Sequence, residues 1–419
     1  MMKRARKRIK RGTLKYLYLL IIFLVVVIFY FFNKNKTDLS SIDFSNNYNE
    51  FVITNKEAKI YKKEDGLYLE NGIIGKNVEL RLNEDSKNEE YFSINNLDNK
   101  YYIKYEDVDK IDKLTESDSR YKNYILFNYN VETSDKTSFY DNDNNLIYSL
   151  NEAISLPLIV KDTDRYGVEF DGKLLYIKKD EAILVENENT SKHNASGVGV
   201  LNYHAFYDEN DPDDLCPTEI CHSKAQFEEQ LTFLRDNNIF TVKMKELEYY
   251  IDGKINLPKS VLITIDDGGR DKIAVDMLTQ YKMNATIFLI TGWYDAKTYY
   301  KTDYIELHSH GHNLHQGGEC PGGQGGAIKC LDKNKLQEDL KKSREALNGS
   351  TSFAYPFYEY NSYAIDNLKE AGFTMAFIGE SNNADNLVHV GDDKFKLRRF
   401  VIVTYTTIND LKKYFGQIK

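Results

Sequence analysis

Along the chain, apolar and polar residues fall into three successive patterns. Residues 16–32, YLYLLIIFLVVVIFYFF, form an unbroken apolar run without a charged or amide side chain. At about 1.5 Å rise per residue it reaches about 25 Å, near the lower limit for crossing a bilayer. The run predicts a transmembrane helix over 16–32, flanked by a basic head (1–15) and a polar, Asn/Ser-rich stalk (33–50). From 51 to 185 the pattern becomes short alternating runs broken by Asn, Asp and Gly. AKIYKK, NVELRL, KYYIKY, LPLIV, YGVEF and LLYIKK each fit a strand with one apolar face. Tyr102-Ile103-Lys104 and Tyr176-Ile177-Lys178, 74 residues apart, each precede an acidic turn. This weak repeat predicts two small all-β modules, 51–115 and 116–185, followed by a polar linker over 186–197. Beyond it, continuous apolar runs (GVGVLNY, SVLITID, ATIFLIT, YIELH, SFAYP, TMAFIG, FVIVTY) alternate with amphipathic stretches such as FEEQLTFLRDNN and NKLQEDLKKSREALNG. That alternation predicts an α/β domain over 198–419 with a mainly parallel sheet, of a size that suits a distorted (β/α) barrel. Chemistry in such folds collects at the C-terminal ends of strands.

Charge narrows the picture. The first fifteen residues hold eight Lys or Arg and no acid, so the rest carries 55 − 8 = 47 bases against 64 acids, about −17. That sign is wrong for binding nucleic acid phosphates. The basic flank predicts a cytoplasmic N-terminus and an extracellular remainder, a single-pass cell-membrane protein. The exit Asn33-Lys34-Asn35-Lys36 lacks a small-residue cleavage site. Four cysteines follow: Cys216, Cys221, Cys320 and Cys330. An even count outside the membrane favours disulfides, and the short spacings suggest Cys216 with Cys221 and Cys320 with Cys330. A structural zinc site of all four thiolates is the rival, although neither pair has the C-x2-C form.

Two strand ends carry chemistry. VLITIDDG ends in adjacent carboxylates, Asp266 and Asp267, so one can bind a metal while the other stays free as a base. YIELHSHGHNLH holds four of the chain's eight histidines. His308 and His312, four apart, are spaced to converge on one ion, with His310 facing elsewhere and His315 an outer neighbour. Two histidines and one carboxylate leave open coordination positions, as in a catalytic site. Non-haem iron oxygenases use the same ligand types.

Asp-Asp-Gly followed by His-Ser-x-x-His resembles the polysaccharide deacetylase family (carbohydrate esterase family 4, the NodB homology domain), over about half the chain. VLNYHAF, FEEQLTFLRDNN, LPKSVLITIDDG, KMNATIFLITG and FAYPFYEYN are similar as well. The resemblance implies that Asp267, His308 and His312 hold a divalent metal (zinc foremost; cobalt, nickel or iron accepted) and that Asp266 is the general base. It also implies that the motif Tyr355-Pro356-Phe357-Tyr358 supplies the oxyanion site, with the Phe357 amide as the candidate donor. Two departures stand out: Ala354 occupies the place of an Arg that orients the base in many members, and Tyr358 stands where Gly is usual. Tyr203-His204 is similar to a pair in the branch acting on poly-N-acetylglucosamine, which makes His204 the expected general acid. His389, in Leu387-Val388-His389, is the alternative, read as lying in a polar loop and not on a strand. The 51–185 region looks like a pair of bacterial Src-homology-3-like modules, which implies contact with the cell wall. Tyr207, Trp293, Tyr294 and Tyr360 are expected to stack on sugar rings. The expected function is N-deacetylation of N-acetylglucosamine in peptidoglycan, by an enzyme held to the membrane through its N-terminal helix. The alternatives are a poly-N-acetylglucosamine deacetylase and a non-catalytic glycan-binding surface protein.

Overall fold

A computed structural model describes residues 51–82, 90–96, 99–112, 114, 128–187, 195–300, 302–381 and 384–419. Among the described residues no helix is long and apolar enough to cross a membrane. The run 16–32, on which the anchor and the single-pass placement were read, lies outside them, as do the head and the stalk. The expected membrane localisation is corrected on this finding, since no described element supports it.

Residues 51–187 build one strand order twice. In the first copy Phe51–Thr54 pairs antiparallel with Glu79–Arg81 and Val108–Ile111. The hairpin Ala58–Glu64/Leu67–Ile74 then meets the hairpin Tyr91–Asn96/Asn99–Lys104. In the second copy Tyr129–Glu132 pairs with Ser155–Pro157 and Ile183–Glu186. The hairpin Thr137–Tyr140/Leu146–Leu150 meets Arg165–Phe170/Lys173–Lys178. The two Tyr-Ile-Lys triplets therefore lie in equivalent strands. Alternating burial, as in Ala58 in, Lys59 out, Ile60 in, gives each strand its inward face. The copies are not separate bodies. Leu146–Leu150 pairs with Leu67–Ile74, fusing both into one nine-stranded sheet over a common core that includes Ile60, Ile103, Phe139 and Phe170. Gly72 makes this junction possible: its φ is +149°, and a Cβ there would fall 2.1 Å from the Ser149 carbonyl oxygen.

In the C-terminal region β1 (Val198–Tyr203), β2 (Ser260–Asp267), β3 (Ala285–Leu289), β4 (Ile305–Ser309), β5 (Ser352–Ala354) and β6 (Met375–Phe377) lie side by side and parallel. β7 (Leu387–Val388) adds antiparallel to β1, and β8 (Phe400–Val401) adds parallel to the same strand. Leu387 and Val388 are thus buried strand residues and not part of a polar loop. Leu397 bridges in parallel to Phe377 of β6, so the segment Leu397–Val401 touches β6 at one end and β1 at the other. It closes the sheet into a distorted barrel. Helices α1 (Lys224–Asp236), α2 (Met244–Ile251), α3 (Lys272–Tyr281), α4 (Lys333–Ala346), α5 (Ser362–Glu370) and α6 (Ile408–Gly416) connect and flank the strands. β2 is buried along seven of its eight residues, as expected of a central parallel strand covered on both faces. α1 and α6 begin in capping boxes, Ser223 with Gln226 and Thr407 with Asp410, which satisfy their first free N–H groups.

The second β copy docks against this region. Val160 and Tyr176 share an apolar cluster with Leu247, Tyr250 and Ile255. The Lys161 amide donates to the Lys254 carbonyl at 2.8 Å, and Lys254 Nζ pairs with Asp162 at 2.9 Å. The disulfides Cys216–Cys221 and Cys320–Cys330 are both formed, which leaves no thiolate for a four-cysteine zinc site.

Overpacking at the junction of the β copies should be costly. Gly72→Val is expected to destabilise the chain by about 1–3 kcal/mol, read as a lower thermal midpoint.

Candidate active site

β2 ends in two carboxylates whose side chains leave on opposite sides. Asp266 stands in register with Phe288 and, through it, with His308; Asp267 is in register with Leu289 and Ser309. Asp266 is 1% exposed and forms a forked ion pair with Arg399, itself 0% exposed, at 2.7 Å (Nη1–Oδ1) and 2.8 Å (Nη2–Oδ2). Arg399 Nε donates to the Ile378 carbonyl at 3.0 Å, and the guanidinium lies 5.8 Å from the Phe288 ring centre and 5.5 Å from that of Tyr358. Burial pushes the Asp266 carboxyl up. The charge of Arg399 and the imidazoles of His310 and His204 outweigh this and hold it below the usual carboxylate range.

Asp267 turns out of the strand at φ +72°, and the chain stays left-handed through Gly268 and Gly269. A Cβ at Gly269 would lie 2.0 Å from the Tyr294 hydroxyl, so only glycine fits. The Tyr299 hydroxyl fixes this turn, accepting from the Gly269 amide at 2.7 Å and donating to Asp271 at 2.6 Å. Asp267 Oδ1 ends 3.3 Å from Nε2 of His310 and 3.3 Å from Nε2 of His315. The three donor atoms lie within 4.8 Å of one another. His310 Nδ1–H donates to the Ala354 carbonyl at 2.8 Å, which turns its Nε2 lone pair toward the cluster. Asp267 Oδ1 is buried yet makes no well-directed hydrogen bond. A buried carboxylate oxygen facing two imidazole nitrogens is a donor set that fits a divalent cation. Burial alone would push Asp267 up, and the three histidines around it, His310 first, bring it down.

His308 and His312, expected as ligands with Asp267, are not among the side chains that gather around it. His308 lies on β4 with Nδ1 bonded to Ser350 Oγ at 2.9 Å, and burial pushes its pKa down to about 4. His312 Nδ1 meets Thr291 Oγ1 at 3.1 Å. The i,i+4 spacing would serve a helix, but here the chain leaves β4 through a turn with Gly311 at φ +88°. Asp339 of α4 accepts from the His312 and Asn313 amides at 2.8 and 2.7 Å, which turns His312 away and brings His315 round. The histidines that face Asp267 are thus five apart, in Ser-His-x-x-x-x-His.

Of the two expected acids, His204 stands beside the carboxylates. Burial lowers its pKa while Asp266 and Asp267 raise it, with a net fall. His389 is occupied elsewhere, Nδ1 on the Ser196 carbonyl at 2.7 Å and Nε2 on Asp385 at 2.9 Å. The motif at the end of β5 lines the same place. Tyr355 is buried with its hydroxyl on the Phe395 carbonyl at 3.1 Å, and Pro356 starts a tight turn. Phe357 and Tyr358 follow at φ +58° and +61°. The amides of Tyr358 and Glu359 close turn bonds to Tyr355 and Pro356, leaving the Phe357 amide outside them. The Phe357 ring packs 4.4 Å from the His315 ring. Of the expected sugar-stacking aromatics, Tyr294 and Tyr360 are packed on Tyr299 and Tyr355. Tyr207 is half-buried. Trp293 is 57% exposed and its ring lies 5.6 Å from that of His315.

Residues 254–376 match the sequence model of the polysaccharide deacetylase family. The poly-beta-1,6-N-acetyl-D-glucosamine N-deacetylase of Staphylococcus aureus (strain N315) is 29% identical over 180 residues, which is 37% of this chain and 60% of that protein. The chain thus spans less than two thirds of the curated relatives it matches. Among solved structures, IcaB from Ammonifex degensii covers 54% of this chain and 99% of its own at 22% identity and a TM-score of 0.43. A polysaccharide deacetylase from Bacillus cereus covers 82% of this chain and 99% of its own at 18% identity and a TM-score of 0.43. The family model thus falls on the same stretch of chain as the two motifs from which the resemblance was drawn, residues 254–376.

Two expectations test this geometry. His310→Ala and His315→Ala should each abolish stoichiometric zinc binding in calorimetric titration, while His308→Ala and His312→Ala should retain it. Arg399→Ala leaves Asp266 as a buried, unpaired charge and should cost about 3–5 kcal/mol of stability. The double variant Asp266→Asn/Arg399→Met should regain most of that in denaturant unfolding.

Proposed function

We propose that residues 198–419 form a metal-dependent N-deacetylase acting on the acetamide groups of an N-acetylglucosamine polymer. The observation that carries this reading is the division of labour at the end of β2. Asp267 joins His310 and His315 in a three-donor cluster, while Asp266 is held out of it by Arg399. This donor set suits zinc, and equally cobalt, nickel or iron. When bound there, a divalent cation supplies polarisation of a carbonyl oxygen and a lowered pKa for water. Asp266, kept ionised beside Arg399, accepts at Oδ a proton from the attacking water. As the water oxygen adds to the acetamide carbon, the Phe357 N–H faces the oxygen that becomes anionic. His204, as imidazolium, gives its Nε2 proton to the departing amine and becomes neutral, the C–N bond breaks, and acetate and a free glucosamine amine result.

The name of the staphylococcal relative and the Tyr203-His204 pair favour a β-1,6-linked poly-N-acetylglucosamine over the peptidoglycan expected from the sequence. The exposed indole of Trp293 beside His315 suits stacking on a sugar ring.

The test is acetate release by the zinc- or cobalt-loaded chain from a β-1,6-N-acetylglucosamine oligomer and from peptidoglycan. Acetate should appear from the oligomer and vanish on chelation. Asp266→Asn should keep the metal and lose about 10²–10⁴-fold in kcat. Metal-loaded protein that releases no acetate from either polymer would sink the reading in favour of a non-catalytic glycan binder. Turnover that requires oxygen would point to an oxygenase.

A further inference from the structure

Tyr358 stands where the family usually has glycine, and its side chain has a definite place. Its hydroxyl donates to Asn202 Oδ1 at 2.7 Å and stands 3.4 Å from His204 Nε2. Asn202 is a rigid partner: it is fully buried on β1, opposite Thr264, and its amide group donates to the Tyr203 carbonyl at 3.2 Å, which fixes Oδ1 as the acceptor. The tyrosine is held with equal care. It sits in the left-handed region directly after Phe357, a conformation unfavourable for a non-glycine residue that persists only where surroundings enforce it. Gly379 makes room for the ring, since a Cβ there would lie 2.9 Å from Tyr358 Cγ. The ring centre is 5.5 Å from the Arg399 guanidinium.

With the hydroxyl proton committed to Asn202, the oxygen can only accept from His204. That places the imidazole proton on Nε2. His204 Nδ1 is consistent with this: it is buried and has no hydrogen-bond partner, a tolerable situation for a lone pair and a costly one for an N–H. We propose that Tyr358 is a positioning residue for His204, fixing its ring orientation and Nε2–H form through the Asn202–Tyr358–His204 chain. The role in turnover rests on the deacetylase reading, whereas the tautomer does not. Because the 3.4 Å contact is long, the leaving amine can displace the hydroxyl at Nε2–H; the ring gives up that proton only as imidazolium, after Nδ1 has taken a second proton, and returns to the neutral form.

The experiment has two arms. In long-range ¹H–¹⁵N spectra of the histidine-labelled, zinc-loaded chain, with His204 assigned by its loss in His204→Gln, His204 should be the Nε2–H form. In Tyr358→Phe, which keeps the ring and the packing, that preference should be lost. In acetate-release kinetics Tyr358→Phe should lower kcat about tenfold with KM and metal affinity unchanged, and should lower it no further in a His204→Ala background. A wild-type His204 in the Nδ1–H form, a spectrum unmoved by Tyr358→Phe, or an undiminished tenfold loss without His204 overturns the proposal. A wild-type chain that releases no acetate overturns the deacetylase reading instead, and the spectra still decide the role of Tyr358.

Discussion

A carboxylate and a guanidinium, both withdrawn from water and locked together by two hydrogen bonds, set the geometry at this end of the barrel. Taking two charges out of water costs several kcal/mol per ion, and the attraction between them offsets that only when the contact is close and the remaining polar atoms are satisfied. Here Arg399 meets the condition with the Ile378 carbonyl at its Nε and two aromatic rings beside its plane. The partners come from β2 and from the segment that joins β6 to β1, 133 residues apart in sequence. Closing the barrel and holding Asp266 are therefore one event. A barrel open at Leu397–Val401 would also be a barrel with an unpaired buried carboxylate.

That coupling explains which parts of the protein could be read in advance. The α/β alternation was legible because buried parallel strands are continuous apolar runs rich in β-branched residues, as in SVLITID, and amphipathic stretches with helical spacing lie between them. The two carboxylates were legible because neighbours on a strand face opposite ways. The histidines that gather around Asp267 differ from the expected pair because HSHGHNLH offers two spacings, and which one faces Asp267 depends on a glycine turn and on Asp339, both invisible to spacing. Arg399 was hidden for a different reason. LRRFVIV shows two arginines entering a strand, but nothing local says that one of them faces a carboxylate across the barrel. The clue lay in an absence: Ala354 left Asp266 without its usual partner, and a buried carboxylate must find another.

The N-terminal β region shows the limit of pattern in another way. The repeat of Tyr-Ile-Lys marked equivalent strands correctly, yet alternation along a strand says nothing about which edge meets which. Two copies with exposed edges can remain separate or fuse, and fusion needs a place where backbones come very close. Gly72 is that place, and in the sequence it is one glycine among twenty-four.

The site itself depends on a short segment whose contribution is mostly backbone. From Ala354 to Tyr358 the chain touches three histidines in turn: the Ala354 carbonyl fixes His310, the Phe357 ring packs on His315, and the Tyr358 hydroxyl reaches toward His204. Only the last two depend on side chains, and both require left-handed backbone at residues that disfavour it. Such a conformation survives because it is over-determined: Gly379 yields to the Tyr358 ring, Asn202 holds its hydroxyl, and turn bonds to Tyr355 and Pro356 close the loop. The Asp267–His310–His315 cluster and the His204 side of the site are thus registered to each other through five residues of one strand end. A change there acts on both at once, even where the altered residue carries no chemistry of its own.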